Sequence, residues 1–220
     1  MAHAPGTPHR REALVEMLWP ECGLSAGRSS LSTALWSLRH ELEPTGFEPG
    51  SVLLADRHTI AVRRESVGTD VAEFERLLRA AAAAGPAERQ ELSTAALELY
   101  AGEFMAGYYE DWVLAEQRRL GDLAHRALGE VTAVLEEVGD LAHALEHAWR
   151  AVRLDPLGEE HHARLMRLQT RAGHPELALQ QYRELERLVQ KDLHVAPSEA
   201  VRAVAREALK ARRTLPATDR

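Results

Sequence analysis

Apolar residues recur along most of this chain at intervals of three and four, the spacing of an amphipathic helix. Over residues 25–42, Leu31, Ala34, Leu35, Leu38 and Leu42 fall on one face, with Ser25 placed to cap the start and Pro44 and Gly46 beyond the end. A shorter helix is expected over residues 10–18, with Leu14, Met17 and Leu18 on one side and Pro20 closing it. The period then changes to two. Val52-Leu-Leu-Ala and Thr59-Ile-Ala-Val are β-rich runs around the polar turn Asp56-Arg-His, and they read as a hairpin. From residue 70 to residue 212 the helical period returns, and helix follows helix. Residues 1–9, rich in Pro, His and Gly, and residues 213–220, polar with Pro216, are expected to be loose.

Within the helical part a longer period appears. Gly139 and Gly173 stand 34 residues apart, as do Ala144 and Ala178, Leu145 and Leu179, and Leu154 and Leu188. Thirty-four residues is the tetratricopeptide period. Ala144, Ala148 and Ala151 are small enough to let two helices pack closely, and Pro156 is expected to begin the next helix, where its missing N–H costs nothing. Upstream the period fails at an aromatic-rich insertion over residues 100–112, with Tyr100, Phe104, Tyr108, Tyr109 and Trp112 around Gly102 and Gly107. That insertion reads either as a packed corner joining two helical pairs or as part of an interface. Stacked helix pairs bury their faces only against neighbours, so a curved array with a concave surface is expected. Such a surface serves peptide or protein recognition and offers no chemistry by itself.

Composition agrees with a helical core: 45% of residues are hydrophobic but only 5% aromatic. No stretch approaches about 18 consecutive apolar residues, so no membrane-spanning helix is expected. The single cysteine, Cys22, excludes an internal disulfide framework, fits a reducing cytoplasm and reads as a bystander. Net charge is −7, but residues 1–69 carry 7 Lys+Arg against 8 Asp+Glu, so the acidity lies mostly after residue 69. A local basic patch in the first part is compatible with nucleic acid.

Catalytic patterns are weak. There is no G-x-S-x-G, Walker or Rossmann glycine motif. His143-Ala-Leu-Glu146-His147 matches the H-x-x-E-H pattern of inverted zinc peptidases, which puts two histidines on one helix face. The repeat's own apolar positions, Ala144, Leu145 and Ala148, place these histidines on its polar flank, so a surface role is expected. His161 and His162, beside Glu159 and Glu160, point apart on a helix and do not make a joint site. No catalysis, cofactor or metal is expected. The helix over residues 25–42 is more informative. Opposite its apolar stripe it carries Ser29, Ser30, Thr33, Trp36, Ser37 and His40, with Arg28 near its start and Arg39 flanking. A helix ahead of a hairpin bearing Arg57, His58, Arg63 and Arg64 reads as a winged helix, the helix entering the major groove and the wing touching phosphates. The candidate DNA-binding set is Arg28, Ser30, Thr33, Ser37, His40, Arg57, His58, Arg63 and Arg64.

Three segments of the helical part, "LYAGEFMAGYYEDWVLAEQRRL" (99–120), "GDLAHALEHAWRAVRLDPLGEEHHARLMRL" (139–168) and "AGHPELALQQYRELERLVQKDLHVAPS" (172–198), resemble the bacterial transcriptional activator domain of the Streptomyces antibiotic regulatory protein class. "RREALVEMLWPE" (10–21), "GRSSLSTALWSLRHELEP" (27–44) and "LLADRHTIAV" (53–62) resemble the DNA-binding half of the same class, and "DVAEFERLL" (70–78) its junction. The resemblance implies a recognition helix over residues 27–43 and a wing tip at Asp56-Arg57-His58. It also implies promoter DNA as ligand, RNA polymerase or other transcription proteins as partners, and a homodimer on DNA, with no membrane association. The family's DNA-binding half opens with a small β-sheet and a further helix. These have no counterpart here, so the winged helix is expected to be partial and the stripe Leu31/Leu35/Leu38 to lose part of its cover. Ser32 and Ser37 stand where the family resemblance implies arginines. The expected fold is mostly α, a partial winged helix-turn-helix over residues 1–69 followed by a tetratricopeptide-like helical-repeat domain over residues 70–212 and a tail over residues 213–220. The expected function is a cytoplasmic DNA-binding transcriptional regulator; the alternative is a helical-repeat adaptor that binds protein without a competent DNA-binding domain.

Overall fold

The structure is a computed structural model and describes residues 6–214. It is mostly α, as the periodicity predicts. Its first unit contains β1 (His9–Arg10), α1 (Arg11–Leu18), α2 (Leu24–Leu42), β2 (Leu53–Ala55) and β3 (Thr59–Val62). The strands form an antiparallel sheet in the order β1-β3-β2, with His9 opposite Ile60 and Leu53 opposite Val62. Two expectations are corrected. The N-cap of α2 is Gly23 in an extended conformation, so Ser25 already lies inside the first turn and caps nothing. Residues 6–9, part of the stretch expected to be loose, are tied down: Gly6 N donates to Val62 O (2.8 Å) and His9 pairs with Ile60. A strand of two residues is too short to display the period of two. The remaining part of that N-terminal stretch lies outside the described residues.

The core of this unit consists of Leu14 and Val15 of α1, Leu31 and Leu35 of α2, and Val52, Leu53, Ile60 and Val62 of the hairpin. The helices meet closely because Gly27 is buried at their contact; a Cβ there would lie 2.3 Å from Val15 Cγ1. The apolar stripe of α2 is split. Leu31 and Leu35 are 3% and 7% exposed, whereas Leu38 and Leu42 are 40% and 41% exposed. The second half of the stripe lies outside the core formed with α1 and the hairpin.

The second unit is a helical array: α3 (Asp70–Ala83), α4 (Pro86–Leu99), α5 (Asp111–Val138), α6 (Leu141–Leu154), α7 (Glu159–Arg171), α8 (Pro175–Asp192) and α9 (Glu199–Thr214). Helices α3 and α4, α5 and α6, and α7 and α8 pack as successive pairs, and α9 lies against both members of the last. Two apolar cores run through it. Leu165 and Leu168 of α7 join the first with α3–α6, while Ala163 and Met166 on its other side join the second with α8 and α9. Thus α7 is buried on both faces and couples the two cores. Pro156 sits in the turn before α7, which begins only at Glu159 after Gly158, so it does not start a helix as expected. Helix α9 includes Arg213 and Thr214, two residues into the stretch read as a tail, and the rest of that stretch lies outside the described residues. Among the described residues, no helix is long and apolar enough to cross a membrane.

The 34-residue period corresponds to one turn built twice. Gly139 and Gly173 adopt left-handed backbone angles, φ +81° and +83°. The residue after each closes the helix end: Asp140 N donates to Leu135 O (2.9 Å) and His174 N to Gln169 O (2.8 Å). Ala144 and Ala178 follow as buried contacts. Replacing either glycine with alanine is expected to destabilise the array by about 1–2 kcal/mol, the cost of a Cβ in the left-handed region. Thermal melts of the two variants should show similar losses; a loss at only one site would contradict the equivalence of the two turns.

Candidate functional site

The polar face of α2 and the β2–β3 turn are joined by a side chain that the sequence reading did not single out. Arg11, at the start of α1, donates from one guanidinium nitrogen to Asp56 O (3.3 Å) and from the other to Ser32 Oγ (3.4 Å). It spans the gap between the hairpin tip and the middle of α2. Asp56 fixes the tip: its Oδ1 accepts from His58 N and Thr59 N, each at 2.6 Å. These backbone donors, Thr59 first, hold its carboxyl below the usual range. A second carboxylate lies among the cations. Glu12 pairs with Arg28 at 3.4 Å. Its acidity is strengthened by its own backbone N–H first, then by Arg28, Arg10 and His58. Arg28, Arg10 and His58 thus all act on the charge of this one acidic group. The adjacent Arg10-Arg11 pair at the start of a helix was the sequence signal for this cluster.

The predicted residues fall into three groups. Arg28, Thr33, Ser37 and His40 are exposed on α2, and Ser30 is half-buried beside them. The ring of His40 stacks on that of Trp36 (5.6 Å between centroids, 4° between planes), and Trp36 is 69% exposed. Thr33 Oγ1 donates back to Ser29 O (3.2 Å), which orients the hydroxyl without covering it. Arg57 and His58 are exposed at the hairpin tip. Arg63 and Arg64 are exposed too, but follow the far end of β3, separated from the tip by about 13 Å of strand. Arg63 donates to Gly50 O (3.2 Å), and Arg64 begins a 3-10 turn (Arg64–Ser66) leading towards α3. Arg28, Ser30, Thr33, Ser37 and His40 thus lie along α2, Arg57 and His58 lie at the hairpin tip, and Arg63 and Arg64 lie at its base.

Glu43 secures this unit from behind. Just past α2, its carboxylate accepts from Gly50 N (2.9 Å), Val52 N (2.8 Å) and Leu53 N (2.7 Å), holding the connection to β2. The Leu53 and Gly50 donors contribute most to lowering its pKa from 4.5. A carboxyl depressed on folding stabilises the folded state above its unfolded pKa, and this contribution is lost as pH falls through the lower folded value. Glu43→Ala is expected to cost about 1–3 kcal/mol, the penalty for leaving buried donors without an acceptor. Amide exchange in β2 should rise at pH 7, and the wild type should approach the variant only below pH 4.5. Unchanged exchange would show that the carboxylate does not hold the loop.

On the helical array the aromatic insertion divides in two. Tyr100 packs against Phe74 (5.6 Å), and Phe104 O accepts from Gln117 Nε2 (2.8 Å). Arg150 of α6 donates to the carbonyls of Leu97 and Tyr100, pinning the end of α4. Met105, Tyr108 and Tyr109 project outward, Tyr109 being 79% exposed. The histidines of the zinc-peptidase pattern do not meet on a metal: His143 Nδ1 is bonded to Asp140 Oδ2 (2.7 Å) and exposed, and His147 is half-buried. His162 is buried between Pro156 O (3.0 Å) and Gln181 Nε2 (2.7 Å), pointing away from His161.

The sequence matches the bacterial transcriptional activator domain over residues 69–209. The chain belongs to the bacterial transcriptional activator domain family. The match begins at Thr69, whose hydroxyl accepts from Ala72 N (3.1 Å) as the N-cap of α3, and ends within α9. Among solved structures, Mycobacterium tuberculosis EmbR in complex with a low affinity phosphopeptide is similar in fold, with a TM-score of 0.67 at 21% identity. That likeness covers 94% of this chain and 56% of the EmbR chain, so this chain spans little more than half the length of its structural relative. A coverage of 94% cannot be confined to residues 69–209, so the shared fold extends from the activator domain into α1, α2 and the hairpin. No curated protein is similar enough in sequence to be matched.

Proposed function

We propose that this activator-domain protein is a non-enzymatic, cytoplasmic DNA-binding regulator of transcription. Residues 1–69 form a partial winged helix-turn-helix and residues 70–212 a tetratricopeptide-like domain that contacts RNA polymerase or another transcription protein. The observation that supports the reading is Arg11, whose guanidinium links the hairpin tip to Ser32 of α2, the two elements that a groove-and-backbone docking mode would use. It also supplies a cation next to Ser32. Promoter DNA would meet Thr33, Ser37 and His40 through the major groove, and Arg57 and His58 through phosphates. Two such units on repeated sites would form the homodimer. The test is fluorescence anisotropy of a labelled duplex titrated with the whole chain over a range of salt. Binding whose affinity falls linearly with the logarithm of salt concentration supports the reading; no binding at low salt refutes it.

A second reading, an adaptor that binds only protein, is favoured by one observation. The outward Met105, Tyr108 and Tyr109 form an aromatic edge that the fold does not use. This edge would be the partner contact in either case; the anisotropy titration decides whether DNA binding accompanies it.

A further inference from the structure

Helices α5, α6 and α7 meet around three side chains that lie far apart in sequence. His125 is in α5, Asp155 follows the last turn of α6 and His161 is in the first turn of α7. All three are partly buried, and one ligand atom from each lies within 4.8 Å of the other two. The two imidazoles stack at 4.7 Å, and His161 Nε2 is 3.9 Å from Asp155 Oδ2. The cluster has features of a built site. His125 Nε2 is shielded from solvent without a hydrogen-bond partner, an uncommon state for a buried polar atom. Leu157 N donates to Asp155 Oδ1 (3.2 Å), leaving Oδ2 turned towards His161. A Cβ at Gly158 would lie 2.4 Å from Asp155 Oδ2 and 2.5 Å from His161 Cδ2, so the turn brings its backbone close against both side chains.

We propose that His125, Asp155 and His161 bind a divalent transition metal of the zinc class and thereby clamp α5, α6 and α7 together. Two imidazoles and one carboxylate suit zinc, cobalt or nickel rather than magnesium or calcium. Tetrahedral coordination at about 2.0–2.1 Å requires ligand atoms about 3.3 Å apart. Rotation of the imidazoles about χ1 and χ2 supplies that closure and breaks the ring stack, and water takes the fourth position. The surrounding charge is mixed. Arg126, Arg164 and Arg167 line the same recess with Glu136 and Glu160, and Arg164 is already engaged by Glu136 (2.9 Å). The site is independent of the DNA-binding surface, since all its ligands lie in the array.

The test uses the tag-free chain. One equivalent of cobalt(II) should give the visible absorption of a four-coordinate site, zinc should displace it, and zinc should raise the melting temperature. Asp155→Asn and His161→Gln should each weaken zinc binding by at least on the order of 10–100-fold, with the folded state of each variant checked by circular dichroism. The double change His143→Ala with His147→Ala should leave binding unaltered. Failure of the wild-type chain to bind one equivalent overturns the proposal. So does zinc binding that survives His125→Gln combined with His161→Gln.

Discussion

Replacing Gly27 with alanine is expected to destabilise the N-terminal unit strongly and leave α3–α9 intact. The added Cβ would lie 2.3 Å from Val15 Cγ1. Val15 is 1% exposed and β-branched in a helix, so its methyl groups have almost no alternative rotamer. One helix must move, and overpacking of this kind costs about 1–3 kcal/mol. Small domains hold only about 5–15 kcal/mol in total. This unit has a small core, and two leucines of its central helix, Leu38 and Leu42, remain exposed, so its margin is small. Hydrogen exchange should therefore rise across α1, α2 and β3 while the protected amides of α5 and α7 stay protected. Adding Val15→Ala should recover part of the loss by removing the clashing methyl groups. A Gly27→Ala variant with wild-type exchange would show that this contact does not set the helix separation.

Charge changes around the α2 face should separate phosphate contacts from base contacts. Arg57→Ala should weaken DNA binding uniformly across sequences, and Arg57→Ala and Arg11→Ala should each reduce the salt slope by about 1. Arg11→Ala should also alter sequence preference, because its guanidinium holds the hairpin tip against Ser32. Arg63→Ala and Arg64→Ala, at the base of the hairpin, should have smaller effects. Glu12→Gln should act in the opposite direction: it releases Arg28 from its ion pair and removes an anion beside Arg10 and His58, so affinity should increase at low salt. Thr33→Ala removes an exposed hydroxyl of α2 and should shift preference at one base position by about 1 kcal/mol, with little change in overall affinity. Equal losses from all these variants would mean that the cluster supports folding rather than contact.

The parts of the fold set by local rules were legible in the sequence. The stripe Leu31-Leu35 marked α2, and Gly139 with Gly173 marked a turn whose left-handed backbone glycine favours. Features produced by distant segments were not legible. Strand β1 exists because residues 9 and 10 pair with β3, and nothing in two residues reveals that pairing. The role of Arg11 depends on Asp56 and Ser32 converging from opposite ends of the unit. His125 and His161 were hidden for the same reason, whereas the adjacent His143 and His147 stood out as a pattern and turned out to be apart from any ligand cluster among the described residues. The aromatic insertion held two opposite signals in one run. Tyr100 and Phe104 belong to a packed corner, and Tyr108 and Tyr109 to the surface, so its residue types alone favoured neither reading.

Selection from a pool of randomised duplexes at low salt, run in parallel with the wild-type chain and with Thr33→Ala, tests the central claim most directly. If α2 reads DNA, the wild type will enrich one sequence and the variant will enrich a sequence changed at a single position. Failure of the wild type to enrich any sequence, or an identical consensus from both proteins, would contradict it.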